Sequence, residues 1–231
     1  LDESWSKNKV EQAAKAIKKS IKKISGEGDF ISISEVKKTA LPQVAKTEYR
    51  DKINIGIVGC GQMGQWHKEA YAKNPNVELA AFADTDFEKA KLLANKVGAR
   101  AYKTHREMVE NEQLNAVSIC TVPSTHRDIA IDLLNAGIHV LCEKPLAISV
   151  LQAEEMTKKA AEKKLILLTA YKFRFFEEVN NAKQILAQGG MGRIMNFRLM
   201  FGGYLDMSAS WFSNREFSGG GVIMDSGPHA I

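Results

Sequence analysis

Cysteine is scarce in this sequence: Cys60, Cys120 and Cys142 are the only three in 231 residues. So few, so widely spaced, they exclude a disulfide framework and a zinc knuckle. They fit a reducing compartment, so the expected location is the cytoplasm. Each lies in or beside an apolar run, where a thiol serves as a small buried hydrophobe. Long apolar runs are missing too. No stretch approaches the ~18 residues of a membrane span, and no basic-then-apolar leader follows Leu1. There is no internal repeat and no low-complexity tract. What is present is ordinary for a globular protein, with 45% apolar and 26% charged residues, in a length that suits one large domain or two small ones.

Excess charge of one sign occurs at one end only. The net charge is +5, and residues 1–50 carry 11 Lys/Arg against 7 Asp/Glu, a net of +4 that leaves +1 for the remainder. Within "NKVEQAAKAIKKSIKKI", Val10, Ala13, Ala14, Ile17, Ile21 and Ile24 recur at helical spacing with lysines around them. A basic amphipathic helix can lie on an anionic membrane or bind nucleic acid. No aromatic residue lines this stripe, so packing against a neighbouring domain is the expectation, with no nucleic-acid partner and no membrane span. Residues 29–50, around Pro42, read as a short element and linker.

From residue 53 short apolar runs alternate with helical stretches. "INIGIV" (53–58), "VELAAFA" (77–83), a short run near Ala101, "AVSICT" (116–121), "HVLC" (139–142) and "LILLTA" (165–170) read as strands. Helices between them are expected up to about Lys73, over Phe87–Val97, near 105–111, from about His126 to Gly137, and from a Ser149 cap through 163. Six strands separated by helices predict an α/β fold, a Rossmann doubly wound parallel sheet over 51–170. Near 194 the pattern becomes the longer alternation of "RIMNFRLMFGGY", expected to be an antiparallel strand of a second sheet.

The first chemical motif is "IGIVGCGQMG". Gly59, Gly61 and Gly64 form G-x-G-x-x-G between a strand and a helix, with Gln62 and Met63 inside the turn. The glycines permit a tight turn, close approach to a pyrophosphate and close helix–strand packing, and the helix N-terminus faces the phosphate charge. Asp84 ends the second strand 20 residues after Gly64. A carboxylate there accepts hydrogen bonds from both ribose hydroxyls and repels a 2′-phosphate, so NAD is expected rather than NADP. The competing reading has Asp84 capping the next helix, but Asp86 is better placed to do so, which leaves Asp84 free. The second motif, "TVPSTH", sets Thr121, Pro123 and His126 just past the fourth strand, where ligands sit in this architecture. His126 reads equally well as a helix cap or as a ligand contact. The third, "CEKP", sets Glu143 and Lys144 at the end of the fifth strand. An ammonium projecting into the crevice there can favour developing alkoxide charge. No metal site is expected.

Together "GCGQMGQWH", "ADTD", "VPSTH", "AGIHVLCEKPLA" and "SGGGVIMDSGPHAI" resemble the Gfo/Idh/MocA oxidoreductases, in order and spacing, from about Ile53 onward. The resemblance implies a Rossmann domain followed by an α/β substrate domain with an open antiparallel sheet, of which residues 171–231 are expected to be the incomplete start. It implies NAD(P)-dependent oxidation or reduction of a sugar, polyol or related hydroxyl compound, with homo-oligomerisation of the full-length protein. It assigns catalysis to Lys144, Asp225 and His229, and suggests Tyr171 and Arg174, in "AYKFRF", as substrate contacts. Asp225 and His229 stand four apart, so on a helix they share a face. His229 is then expected to take the hydroxyl proton, with Asp225 orienting its ring and favouring the protonated form. The run Gly219–Gly220–Gly221 is expected to lie against a ligand. With Leu at position 1 and an end inside a helix, the chain is expected to be a fragment of a longer polypeptide, inactive by itself. The alternative function is a dinucleotide-binding regulator without turnover, since this resemblance includes a galactose-pathway repressor.

Overall fold

The computed structural model describes residues 52–189, 192–200, 202–203, 206–208 and 210–229. The basic helix and linker expected over 1–50 lie outside these residues. Six strands pair in the order β3-β2-β1-β4-β5-β6: β1 (Ile53–Val58), β2 (Val77–Ala83), β3 (Arg100–Tyr102), β4 (Ala116–Ile119), β5 (His139–Cys142) and β6 (Leu167–Thr169). Every pairing is parallel. The order runs outward from β1 to β3, then returns to β4 on the other side. The gap beyond the carboxyl ends of β1 and β4 is the switch point where such sheets bind ligands.

The connecting helices are α1 (Gln62–Tyr71), α2 (Phe87–Asn95), α3 (His105–Asn111), α4 (Pro123–Asn135) and α5 (Val150–Lys163). Their starts have local causes. Thr104 and Ser149 accept the N–H of Glu107 and Gln152, satisfying donors that a helix leaves unpaired. Pro123 opens α4, three residues before His126, because its missing N–H costs nothing at that position. Helices cover both faces of the sheet, so the strands bury side chains in both directions. Ile57 and Phe82 pack with Ala90, Leu93 and Ala94 of α2 on one face. Their chain neighbours Val58, Ala81 and Ala83 point the opposite way, into a larger cluster with Met108, Leu133, Leu134 and Met156.

After β6 come a 3-10 turn (Lys172–Phe175), α6 (Glu177–Ala187), a second 3-10 turn (Trp211–Ser213), α7 (Arg215–Ser218), α8 (Val222–Ser226) and a last 3-10 turn (Gly227–His229). The antiparallel strand expected from "RIMNFRLMFGGY" is not seen among the described residues, where 194–200 carry no ladder. A strand exists by pairing, and the described residues offer this one no partner. Helix α7 packs on α4. Gly219, which ends α7 at φ 76°, lies so close to Ile148 that an added Cβ would stand 2.7 Å from its side chain. The glycine run therefore serves packing at Gly219, where a ligand contact was expected. No helix among the described residues is long and apolar enough to cross a membrane.

Candidate active site

The dinucleotide end is built by the turn from β1 to α1. Gly59 has φ 93°, and a Cβ there would meet the Cys120 carbonyl carbon at 2.6 Å, so the turn lies directly against the end of β4. A Cβ on Gly64 would come within 2.1 Å of the Gly59 oxygen, so helix and turn touch backbone to backbone. At Gly61 a Cβ would meet nothing within 4 Å. Gly61 is the N-cap of α1, no side chain caps it, and no acidic residue occupies the first turn. The free N–H groups of a ten-residue helix thus open on unfilled space, which fits a pyrophosphate. Gln62 is exposed and Met63 half-buried at that rim.

Asp84 is not free, as the sequence suggested, because the turn itself needs a partner. Its Oδ2 accepts the Cys60 N–H (2.6 Å) and its Oδ1 the Asp86 N–H (2.8 Å). The carboxylate is half-exposed and keeps further lone pairs, so it can still accept from ribose hydroxyls while bracing the glycine turn. Asp86 does take the N-cap position of α2, and its carboxylate pairs with Lys89 at 3.1 Å. Burial, then the nearby Asp84 charge, pushes the Cys60 thiol up to about 12. Burial likewise raises Cys120 and Cys142, so all three thiols stay protonated, as small hydrophobes should.

His126 and Pro123 are buried too deeply to touch a cofactor. His126 is 0% exposed; Nδ1 lies 2.9 Å from the Pro145 carbonyl oxygen and Nε2 3.1 Å from that of Thr121. The ring ties the loop after β5 to the loop after β4. Burial lowers its pKa despite those acceptors. Thr121 stays half-buried at the crevice, its hydroxyl accepting from Thr125 at 2.8 Å.

The catalytic candidates meet in part. Lys144 Nζ donates to Asp225 Oδ1 at 2.5 Å and to the Asp225 carbonyl at 3.1 Å, joining positions 81 apart. Asp225 does not orient His229. Helix α8 ends at Ser226 and the backbone tightens into a 3-10 turn over Gly227–His229, which breaks the i, i+4 alignment. His229 instead packs edge-on against Phe173, with ring centroids 4.8 Å apart. Its buried Nδ1 has no hydrogen-bond partner among the described residues. Burial, then Lys144, then Lys172 lower its pKa, outweighing Asp225, so the protonated form is disfavoured rather than favoured. Tyr171 is half-buried beside the 3-10 turn that carries Phe173, and Arg174 is exposed on that turn.

Three buried or half-buried residues escaped the sequence reading. His67 of α1 contacts Glu143 Oε1 through Nε2 (2.9 Å) and Ser118 Oγ through Nδ1 (3.2 Å), and Tyr71 OH lies 2.6 Å from the same Oγ. Glu143, only 6% exposed, uses Oε2 to accept the Lys144 N–H at 3.1 Å. Both carboxylate oxygens are engaged by protein and, unlike those of Asp84, they are buried, which argues against the expected cofactor contact at Glu143. Burial pushes Glu143 up, but His67 and the Lys144 N–H and charge more than offset this and hold it below the usual carboxylate range. The available signal was the position of His67, three residues after Gly64 and so about one helical turn onward.

Residues 53–171 match the family described as "Oxidoreductase family, NAD-binding Rossmann fold", and residues 179–231 match the "GFO/IDH/MocA C-terminal domain". The chain belongs to the Gfo/Idh/MocA oxidoreductase family. Its matched first domain is thus the family's NAD-binding Rossmann fold. Levoglucosan dehydrogenase of Pseudarthrobacter phenanthrenivorans is 31% identical over 78% of this chain and 49% of its own length. Myo-inositol 2-dehydrogenase of Thermotoga maritima is 28% identical over 61% of this chain and 42% of its own. Among solved structures, GenD2 from gentamicin A biosynthesis, in complex with NAD, aligns with a TM-score of 0.67 at 26% identity, covering 78% of this chain and 52% of that one. The chain thus spans about half the length of the relatives it matches.

Proposed function

We propose that this chain carries the catalytic set of an NAD-dependent oxidoreductase acting on a sugar, polyol or related hydroxyl compound, with Lys144, Asp225 and His229 as its proton-handling groups. The observation that carries the reading is the 2.5 Å contact of Lys144 with Asp225, at the carboxyl end of β5 beside the dinucleotide turn. When bound, NAD supplies the acceptor for a hydride leaving the substrate carbon. His229, biased toward its neutral form, accepts the hydroxyl proton. Lys144 donates to the substrate oxygen and favours alkoxide charge as it develops. Asp225 fixes the ammonium and balances its charge. Tyr171 and Arg174 belong to the same proposal as substrate contacts, as do the division at residue 170 between a dinucleotide domain and a substrate domain, and homo-oligomerisation. The substrate class is supported by relatives named for levoglucosan and myo-inositol.

The test combines NADH fluorescence titration with turnover assays over a panel of sugars and polyols. Lys144→Ala should lower turnover roughly 100-fold or more, the scale of losing one preorganised donor, and leave NADH affinity within a few-fold. Near-normal turnover in the variant would reduce Lys144 to a loop residue. NADH binding with no turnover on any compound would favour the regulator reading.

A further inference from the structure

A chain of side chains runs inward from the dinucleotide helix to the backbone of Lys144. It starts at Tyr71 and passes through Ser118, His67 and Glu143. Ser118 is 0% exposed and Glu143 6% exposed, so these polar atoms have been withdrawn from water. Such groups are costly unless every donor meets an acceptor. Here each has a partner. Glu143 is held below the usual carboxylate range and can only accept, so Nε2 of His67 donates to it. Nδ1 of His67 lies against the Ser118 hydroxyl, which also meets the Tyr71 hydroxyl. The second Glu143 oxygen is left for one donor, the peptide N–H of Lys144.

We propose that Glu143, held by His67, is the positioning residue for Lys144, and that Ser118 and Tyr71 complete the device by holding the other nitrogen of His67. Glu143 touches the backbone of Lys144 and not its ammonium, so it sets where the side chain sets out from. Asp225 sets where it ends. A lysine has four rotatable bonds, and anchoring both ends removes most of the wandering that would separate its ammonium from a substrate oxygen. The device begins on α1, whose N-terminus faces the pyrophosphate space, so cofactor and lysine are referenced to one rigid helix. The charged or titratable groups facing Glu143 are His67 from α1, Cys120 from the end of β4, His126 from α4, Cys142 and Lys144 on its own segment, and His229 from the last turn. The two thiols stay protonated, which leaves His67 and Lys144 to hold the carboxylate.

This role rests on the reading of Lys144 as catalytic, and its test reads Lys144 without turnover. Hydrogen exchange at the Lys144 amide and a carboxyl NMR titration of Glu143 are measured on the whole chain and on His67→Gln, Glu143→Leu and Tyr71→Phe, with NADH binding as the check of folding. In Glu143→Leu and His67→Gln the Lys144 amide should exchange about 10-fold faster or more, as expected for loss of a hydrogen bond to a charged group. In His67→Gln the Glu143 carboxyl should titrate at higher pH than in the parent, because Lys144 alone then offsets burial. Tyr71→Phe should move both readouts the same way by less. Unchanged exchange at Lys144 in Glu143→Leu and His67→Gln, or an unmoved titration in His67→Gln, overturns the proposal. If either of those two variants loses NADH binding, the single-hydroxyl change Tyr71→Phe decides, since no change at Lys144 overturns the proposal there too. If Lys144→Ala keeps its turnover, the functional reading falls, independently of these results.

Discussion

Asp84 braces the glycine turn through Cys60 and Asp86, and we propose that it also faces the ribose. Asp84→Ala should therefore weaken NADH binding through the loosened turn and also remove the charge that repels a 2′-phosphate. The NADH-over-NADPH preference, read by paired fluorescence titrations, should shrink roughly 10-fold, the size of one charge–charge interaction near a surface. An unchanged ratio would remove Asp84 from the specificity argument. At this scale the sequence was legible where a residue type has one reason to be present. Gly59 and Gly64 were legible because a backbone that must touch backbone admits only glycine. Histidines were illegible. His126, His67 and His229 play three different parts, and an imidazole can cap, clamp or accept with the same ring; burial and partners decide, and neither is written in spacing.

Strand positions were read closely because each apolar run is bounded by polar or glycine residues, and β1, β2 and β5 coincide with the expected ranges. Helix α4 begins three residues earlier than expected because Pro123, taken as a turn residue, also suits the first helical position. The last element diverges for another reason. A run of alternating side chains makes a strand only beside a second strand, so "RIMNFRLMF" was readable as a pattern and not as a structure. The central layer owes its cohesion to α4, whose Leu133 and Leu134 are both 0% exposed under the sheet. Leu133→Ala should cost about 2–5 kcal/mol, transfer plus cavity, since β4 and β5 cannot close over the gap. Urea unfolding would show it as a lowered midpoint at unchanged slope. A loss under 1 kcal/mol would mean that the layer repacks more freely than its burial implies.

For the whole molecule, buried titrating groups tie stability to acid. His126 binds a proton less readily when folded than unfolded, where its pKa is near 6.5. Between those two points the unfolded chain holds more protons, so this stabilisation is complete above pH ~6.5 and drains away as pH falls toward the folded value. Glu143, also lowered, adds a second loss below its unfolded value of ~4.3. Denaturant unfolding should give lower stability at pH 5 than at pH 8, with the difference reduced in His126→Gln. A flat profile would show that His126 is not neutral in the fold. Ile194, Met195, Phe197 and Met200 stand exposed, and an open apolar groove of about 650 Å³ runs beside Ser226 and Gly227.

The Lys144–Asp225 contact spans 81 positions, and a ribosome makes them in order. The glycine turn, Asp84 and the Glu143–Lys144 segment are all synthesised before Asp225 exists. A nascent chain can fold its dinucleotide sheet early, while its lysine waits unpartnered for a carboxylate still to be translated. On the roles proposed for Lys144 and Asp225, synthesis separates the capacity to bind from the capacity to react, so a half-made chain would hold its cofactor without spending it.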